Sequence, residues 1–362
     1  MNLAPSARSG PGPGPGREPA PGPGREAAPG AHLAPGAEPG HDPGSQGPGP
    51  STGEGRRSAH PRLALDAALD DIELVAARAA LAEGRWQAAR SLLVRTGDDW
   101  ERRGHRVAVL ARHPRSAARA RDWLNAEPGS ADASVLLALA LVRRAIRGRE
   151  RQDRVRDACH TAAGLAPADP TPWLGLLMLE RSRGGEADTT AAFEEVRKRC
   201  PEHHHAHHLM VARLAERRAD AGPDPQHAVY EFAETAARRA PADSPLAVLP
   251  VVARAERYRV LAATGAEPAD PAASDHWTGP RAGQVARAAF EWWLEWEHES
   301  HPRCLVDLNF LAHAKHHAGR AAEAAALFQR IGAYATPAPW TYPDRDPRAA
   351  FRAARDRAFG TG

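Results

Sequence analysis

Histidine invites a chemical reading of this chain more than any other residue. His203, His204, His205, His207 and His208 fall within six consecutive positions. Neutral imidazoles at i and i+4, His203 with His207 or His204 with His208, could face one metal ion from one side of a helix. A second group runs His298, His301 and Cys304, followed by His313, His316 and His317. His298 and His301 are one helical turn apart, but Pro302 interrupts their face before Cys304. Neither group has the HExxH spacing that sets a general-base Glu beside two ligands, and no carboxylate or thiol is placed to complete a site on the first run. Both groups therefore read as polar helix ends carrying surface histidines, with no metal and no other cofactor expected. If a metal is held, His204, His208, His298 and His301 are the residues placed for it.

Other chemistry finds less support. A phosphate-binding Walker loop needs Gly before its Lys, but Lys198 follows Arg197 and Lys315 follows Ala314, and these are the only lysines. The GxSxG string from Gly49 to Gly53 lies in the Pro/Gly-rich N-terminal stretch without the strand and helix of a nucleophile elbow, and CxxC is absent, so no catalytic residue is assigned and no enzymatic activity is expected. The competing reading is a metal-dependent or cryptic enzyme built on the histidine clusters. The formal net charge is +3, and the arginines from Arg143 to Arg156 are interleaved with Glu150, Asp153 and Asp157, as on a solvated face; nucleic acid is not expected. Arg so dominates over Lys, alongside abundant Ala, Gly and Pro, that the usage resembles the bias of a GC-rich genome. Cys159, Cys200 and Cys304 are odd in number and far apart, which suits free thiols in a reducing compartment, the cytoplasm. The longest clean apolar run, Val135 to Val142, is far short of the roughly 20 residues of a membrane span.

These residues need elements to position them. Residues 1–60 are Pro and Gly with scattered charge and should form a disordered tail. The remainder is rich in Ala, Leu and Arg and favours helix. Its clearest unit runs from Pro167 to Pro201, 34 residues on. Thr171-Pro172 opens a helix carrying Trp173, Leu176 and Leu177 on one stripe. Gly184-Gly185 breaks it, and a second helix carries Ala192, Phe193 and Val196 before Cys200-Pro201. Similar punctuation recurs at Pro128, Pro241, Pro302 and Pro337, and Gly84-Arg85-Trp86 and Gly319-Arg320 make comparable turns. Trp292, Trp293 and Trp296 extend one amphipathic helix and read as core. Trp277 lies in a loop from Thr264 to Gly283, either exposed or as an anchor.

The Pro167–Pro201 unit resembles a tetratricopeptide repeat in its Trp, Leu, turn, Phe and closing Pro, although Leu177, Glu180 and Thr189 depart from the family pattern. The resemblance implies an all-α chain, an α-α superhelix of about six helical hairpins over residues 61–345, with a C-terminal helix or tail at 346–362. Single hairpins cannot bury their apolar faces, so stacking is required. It also implies a scaffold that holds a protein or peptide partner in its concave groove. With Trp173, Leu176 and Leu177 packed, the adjacent stripe is Leu174, Met178 and Arg181. The same offset elsewhere gives Val135, Leu139 and Val142 with Arg143 beside them, then His205, His208 and Ala212, and finally Asn309, His313 and His316. An apolar floor with Arg and His around it suits an amphipathic helix or an extended acidic peptide.

Overall fold

The computed structural model describes residues 63–218, 222–296 and 301–360; the Pro/Gly-rich tail and His298 lie outside them. Among the described residues the fold is all-α. In chain order come α1 (Ile72–Ala82), α2 (Trp86–Thr96), α3 (Trp100–Leu110), α4 (Ser116–Ala126) and α5 (Ala131–Ile146). Then follow α6 (Gln152–Leu165), α7 (Thr171–Arg183), α8 (Glu186–Arg199), α9 (His204–Ala215) and α10 (Ala228–Arg239). The last are α11 (Leu249–Ala263), α12 (Pro280–Glu295), α13 (Cys304–His317), α14 (Ala321–Ile331), the single turn α15 (Pro337–Trp340) and α16 (Pro347–Ala358).

Six antiparallel hairpins, α1/α2, α5/α6, α7/α8, α9/α10, α11/α12 and α13/α14, stack in sequence, so α5, α7, α9, α11 and α13 succeed one another along the inner side of a superhelix. Local chemistry sets their ends. Gly84 and Gly319 adopt φ of +102° and +72° at the α1/α2 and α13/α14 turns, a region that residues with a Cβ enter only at a cost. Asp71, Asp99, Ser130 and Asp346 cap α1, α3, α5 and α16 through side-chain oxygens. At α7 the cap falls differently from the sequence reading. Asp169, two residues before Thr171, accepts the Thr171 N–H at 2.7 Å.

One element departs from simple stacking. α3 does not form a hairpin with α4; it lies across the starts of α5, α7 and α9. Gly104 lets it approach, because a Cβ there would stand 3.4 Å from His203 Nε2 and 3.6 Å from Leu174 Cδ2. Arg103 ion-pairs with Asp132 of α5 and, at 3.2 Å, with Asp169 before α7. Glu101 accepts the His204 backbone N–H at the start of α9. At the far end the chain returns. Ala64 pairs with Tyr334 in an isolated parallel bridge, Ala64 N donates to Ala333 O at 2.8 Å, and Arg348 donates to Leu63 O at 2.6 Å. α16 packs Phe351 against Phe328 and Trp340, so it completes the core.

The loop between α11 and α12 is pinned. Trp277 is 2% exposed and packs on Tyr258, His276, His313 and His317, while Tyr258 Oη donates to Pro268 O at 2.8 Å. Of the tryptophans on and just after α12, Trp293 is buried; Trp292 and Trp296 are half-buried.

Candidate anion cavity and histidine–aspartate cluster

The inner helices leave a cavity of about 1080 Å³ between them, at the upper end of what ligand sites usually enclose. α3 contributes His105 and Val109; α5, Arg143; α7, Met178 and Arg181; α9, His205, His208 and Leu209. Glu256 and Arg259 enter from α11, Val306 and Phe310 from α13, and the returning ends close it with Leu65 to Leu69 and with Thr336 to Ala338 and Tyr342. The wall is thus apolar in patches and cationic between them.

Arg348 at its edge is tied to Leu63 O, and the other arginines fall into two sets. Arg78 is held by Asp66 at 2.5 Å, Arg259 by Glu256 at 2.8 Å and Glu216 at 3.0 Å, and Arg181 by Glu216 at 3.1 Å. Arg112, Arg143 and Arg303 line the same cavity and have no carboxylate within ion-pair distance among the described residues. Burial, then the charges of Arg112 and Arg147, lowers the Arg143 pKa. Arg112 is exposed at the cavity mouth, and partial desolvation, then Arg147, lowers its pKa. Burial lowers Arg303 despite Asp307 and Glu101. Clustered cations that disfavour one another's charge are satisfied by an anion brought from outside.

Beside Arg303 the cavity wall holds a second arrangement. His204 and His208, one turn apart on α9, meet Asp307 on the first turn of α13, with His204 Nε2 2.7 Å from Oδ2 and His208 Nε2 3.2 Å from Oδ1. His301, just before α13, brings Nε2 to 3.2 Å from Oδ2. Burial would raise the Asp307 carboxyl, but His204 and then His208 and His301 outweigh it and hold it well below the usual range. Burial keeps the His204 imidazole neutral. The cluster is therefore one buried carboxylate among imidazoles, of which burial favours the neutral form of His204 and His208.

No protein-family model matches the chain, and no curated protein matches it.

The sequence-derived groove residues separate into three groups. Arg143, Met178, Arg181, His205 and His208 line the cavity. Leu174, Asn309 and His313 are fully buried. Leu174 lies under α3, beside Gly104. Asn309 accepts the Trp340 Nε1–H at 2.7 Å and donates to Leu305 O and Tyr334 O. His313 packs edge-to-face between Trp277 and Trp340, at 5.0 and 5.1 Å between ring centres. His316 faces a separate pocket with Asp270, His317, Arg345 and Arg357.

The reading of the histidine run as a solvated helix start is also corrected. His203, His204, His207 and His208 are buried, because α3 and α13 cover that turn of α9. Sequence reasoning missed Asp307, which supplies the carboxylate that the run lacks locally. It also missed Arg112 and Arg303, whose neighbourhood is created by α3 and by the approach of α13 to α9. The only local hint was Asp307, six residues beyond His301.

Proposed function

We propose that the chain is a tetratricopeptide-repeat-like scaffold that holds an extended acidic segment of a partner protein in the inner cavity. The observation that carries this reading is the presence of Arg112, Arg143 and Arg303 in one cavity without carboxylate partners. Carboxylates of a peptide would take bidentate hydrogen bonds from these guanidiniums, and its apolar side chains would cover Leu65, Met178, Leu209 and Phe310. An extended chain would present alternate side chains to the arginines and to the apolar wall.

Thiol catalysis has little support. Burial pushes Cys159 and Cys200 up to about 12 and Cys304 up to about 11, so none is a thiolate near neutral pH. Three free cysteines fit a reducing compartment, the cytoplasm. No helix among the described residues is long and apolar enough to cross a membrane.

Arg112 and Arg143 are the residues to change, since Arg181 and His208 already engage Glu216 and Asp307. The test is binding of a fluorescent Glu/Leu peptide and a Lys/Leu peptide of equal length to the full chain. The acidic peptide should bind, weaken with salt, and lose about tenfold or more in affinity on joint Arg112→Glu and Arg143→Glu substitution, which removes two charge-assisted contacts. Equal binding of both peptides, or an unaffected folded double variant, sinks the proposal.

A further inference from the structure

The histidine–aspartate cluster is a different matter from the cavity and stands on its own geometry. We propose that His204, His208 and Asp307, with His301 as fourth donor, hold a divalent cation of the zinc type and so clamp α9 to α13. Three groups from two segments about a hundred residues apart converge on one buried point, the donor atoms of His204, His208 and Asp307 lying within 4.8 Å of one another; His301, outside that set, has Nε2 3.2 Å from Asp307 Oδ2 and would close in as the fourth donor. Tetrahedral ligands at about 2.1 Å from zinc stand roughly 3.4 Å apart. On Asp307 Oδ2, the 3.2 Å contact of His301 is close to that spacing and the 2.7 Å contact of His204 would open by under about 1 Å to reach it, while His208 approaches the other oxygen, Oδ1, at 3.2 Å.

Hydrogen bonding alone accounts poorly for the arrangement. Only His204 makes a hydrogen bond of good geometry to Asp307. The 3.2 Å approach of His208 leaves Asp307 Oδ1 buried without a hydrogen-bond partner. Nitrogen and oxygen atoms that crowd at ligand distance without aligning as donor and acceptor are arranged around a shared centre. Among the described residues Asp307 has no Lys or Arg within ion-pair distance, only these three imidazoles. A set of three imidazole nitrogens and one carboxylate oxygen selects a borderline transition cation over magnesium or calcium, which favour oxygen ligands. Four protein donors leave no open position, so the role is structural.

The test uses the full chain, freed of any histidine tag and purified without chelator, measured by elemental analysis and then titrated with Co²⁺ after metal removal. About one equivalent of metal, visible ligand-field bands of tetrahedral Co²⁺, and a melting temperature lowered by chelator are expected. Asp307→Asn and His301→Ala should each weaken Co²⁺ binding at least about tenfold, whereas His316→Ala should leave it unchanged. If Asp307→Asn does not fold, the half-buried His301 carries the comparison. Less than about a tenth of an equivalent together with no Co²⁺ bands would make the cluster purely hydrogen-bonded and overturn the proposal. Co²⁺ binding that survives His301→Ala, or is lost with His316→Ala, would overturn it too.

Discussion

Arg103 of α3 and Asp169 before α7 meet at 3.2 Å, with Asp169 only 1% exposed, and the same guanidinium reaches Asp132 at the start of α5. One side chain thus fixes the crossing helix to two successive repeats. Removing it strands a buried carboxylate whose remaining partner is the Thr171 N–H. Arg103→Met should therefore lower unfolding free energy by about 3 kcal/mol, in the range for breaking a buried pair. Urea denaturation monitored by circular dichroism measures this, and a loss under about 1 kcal/mol would show that α3 is held by apolar packing alone.

Acid should destabilise the fold well before carboxylates protonate. Burial, then the Arg303 charge, pushes His105 down to about 3. Burial likewise takes His317 down to about 3 and His276 and His316 down to about 4. Above the ordinary imidazole value of about 6.5 both folded and unfolded chains are neutral at these positions. Below it the unfolded chain gains protons and the folded chain does not, so stability falls as pH drops from about 6.5 towards 4. For the buried His105 the loss is about 1.4 kcal/mol per pH unit. Glu101, raised to about 7 chiefly by burial, opposes this, because its proton is kept in the folded chain and released from the unfolded one between about 4.5 and 7. Several histidines outweigh one acid. Melting temperature should drop between pH 7 and 5, less steeply in His105→Gln; a flat or rising profile would contradict the neutral-histidine assignment.

Trp277 should act as the anchor of the α11–α12 loop. Trp277→Ala removes a side chain buried against Tyr258 and His313 and should cost about 3–5 kcal/mol. Limited proteolysis distinguishes anchoring from simple core loss: new cleavage should appear between Thr264 and Gly279 before global unfolding. Cleavage spread evenly over the chain would refute a local anchoring role.

Helical hairpins were legible because each is a local pattern. Leu176, Leu177, Phe193 and Val196 are buried as their spacing requires, and Gly184-Gly185 separates α7 from α8. The register of a stripe does not say what covers its neighbour. Leu174 had the spacing of a groove residue, but α3 arrives from seventy residues upstream and covers it. Asn309 and His313 are similarly covered by α15 and the Trp277 loop. Asp307 was invisible as a partner of His204 because the two are 103 residues apart and meet only when α13 packs near α9. What sequence periodicity encodes is the two-helix unit. What it omits is contact between elements distant in sequence, and the cavity arginines and the histidine–aspartate cluster are products of such contacts.

The bridge between Ala64 and Tyr334, reinforced by Arg348 on Leu63, has a mechanical consequence. An open array of repeats behaves like a spring whose ends fray independently and whose repeats can be shed one at a time. Here the first and last segments are fastened to each other. The loop so formed should melt as one cooperative body, and its cavity should keep a fixed bore instead of widening by extension of the coil.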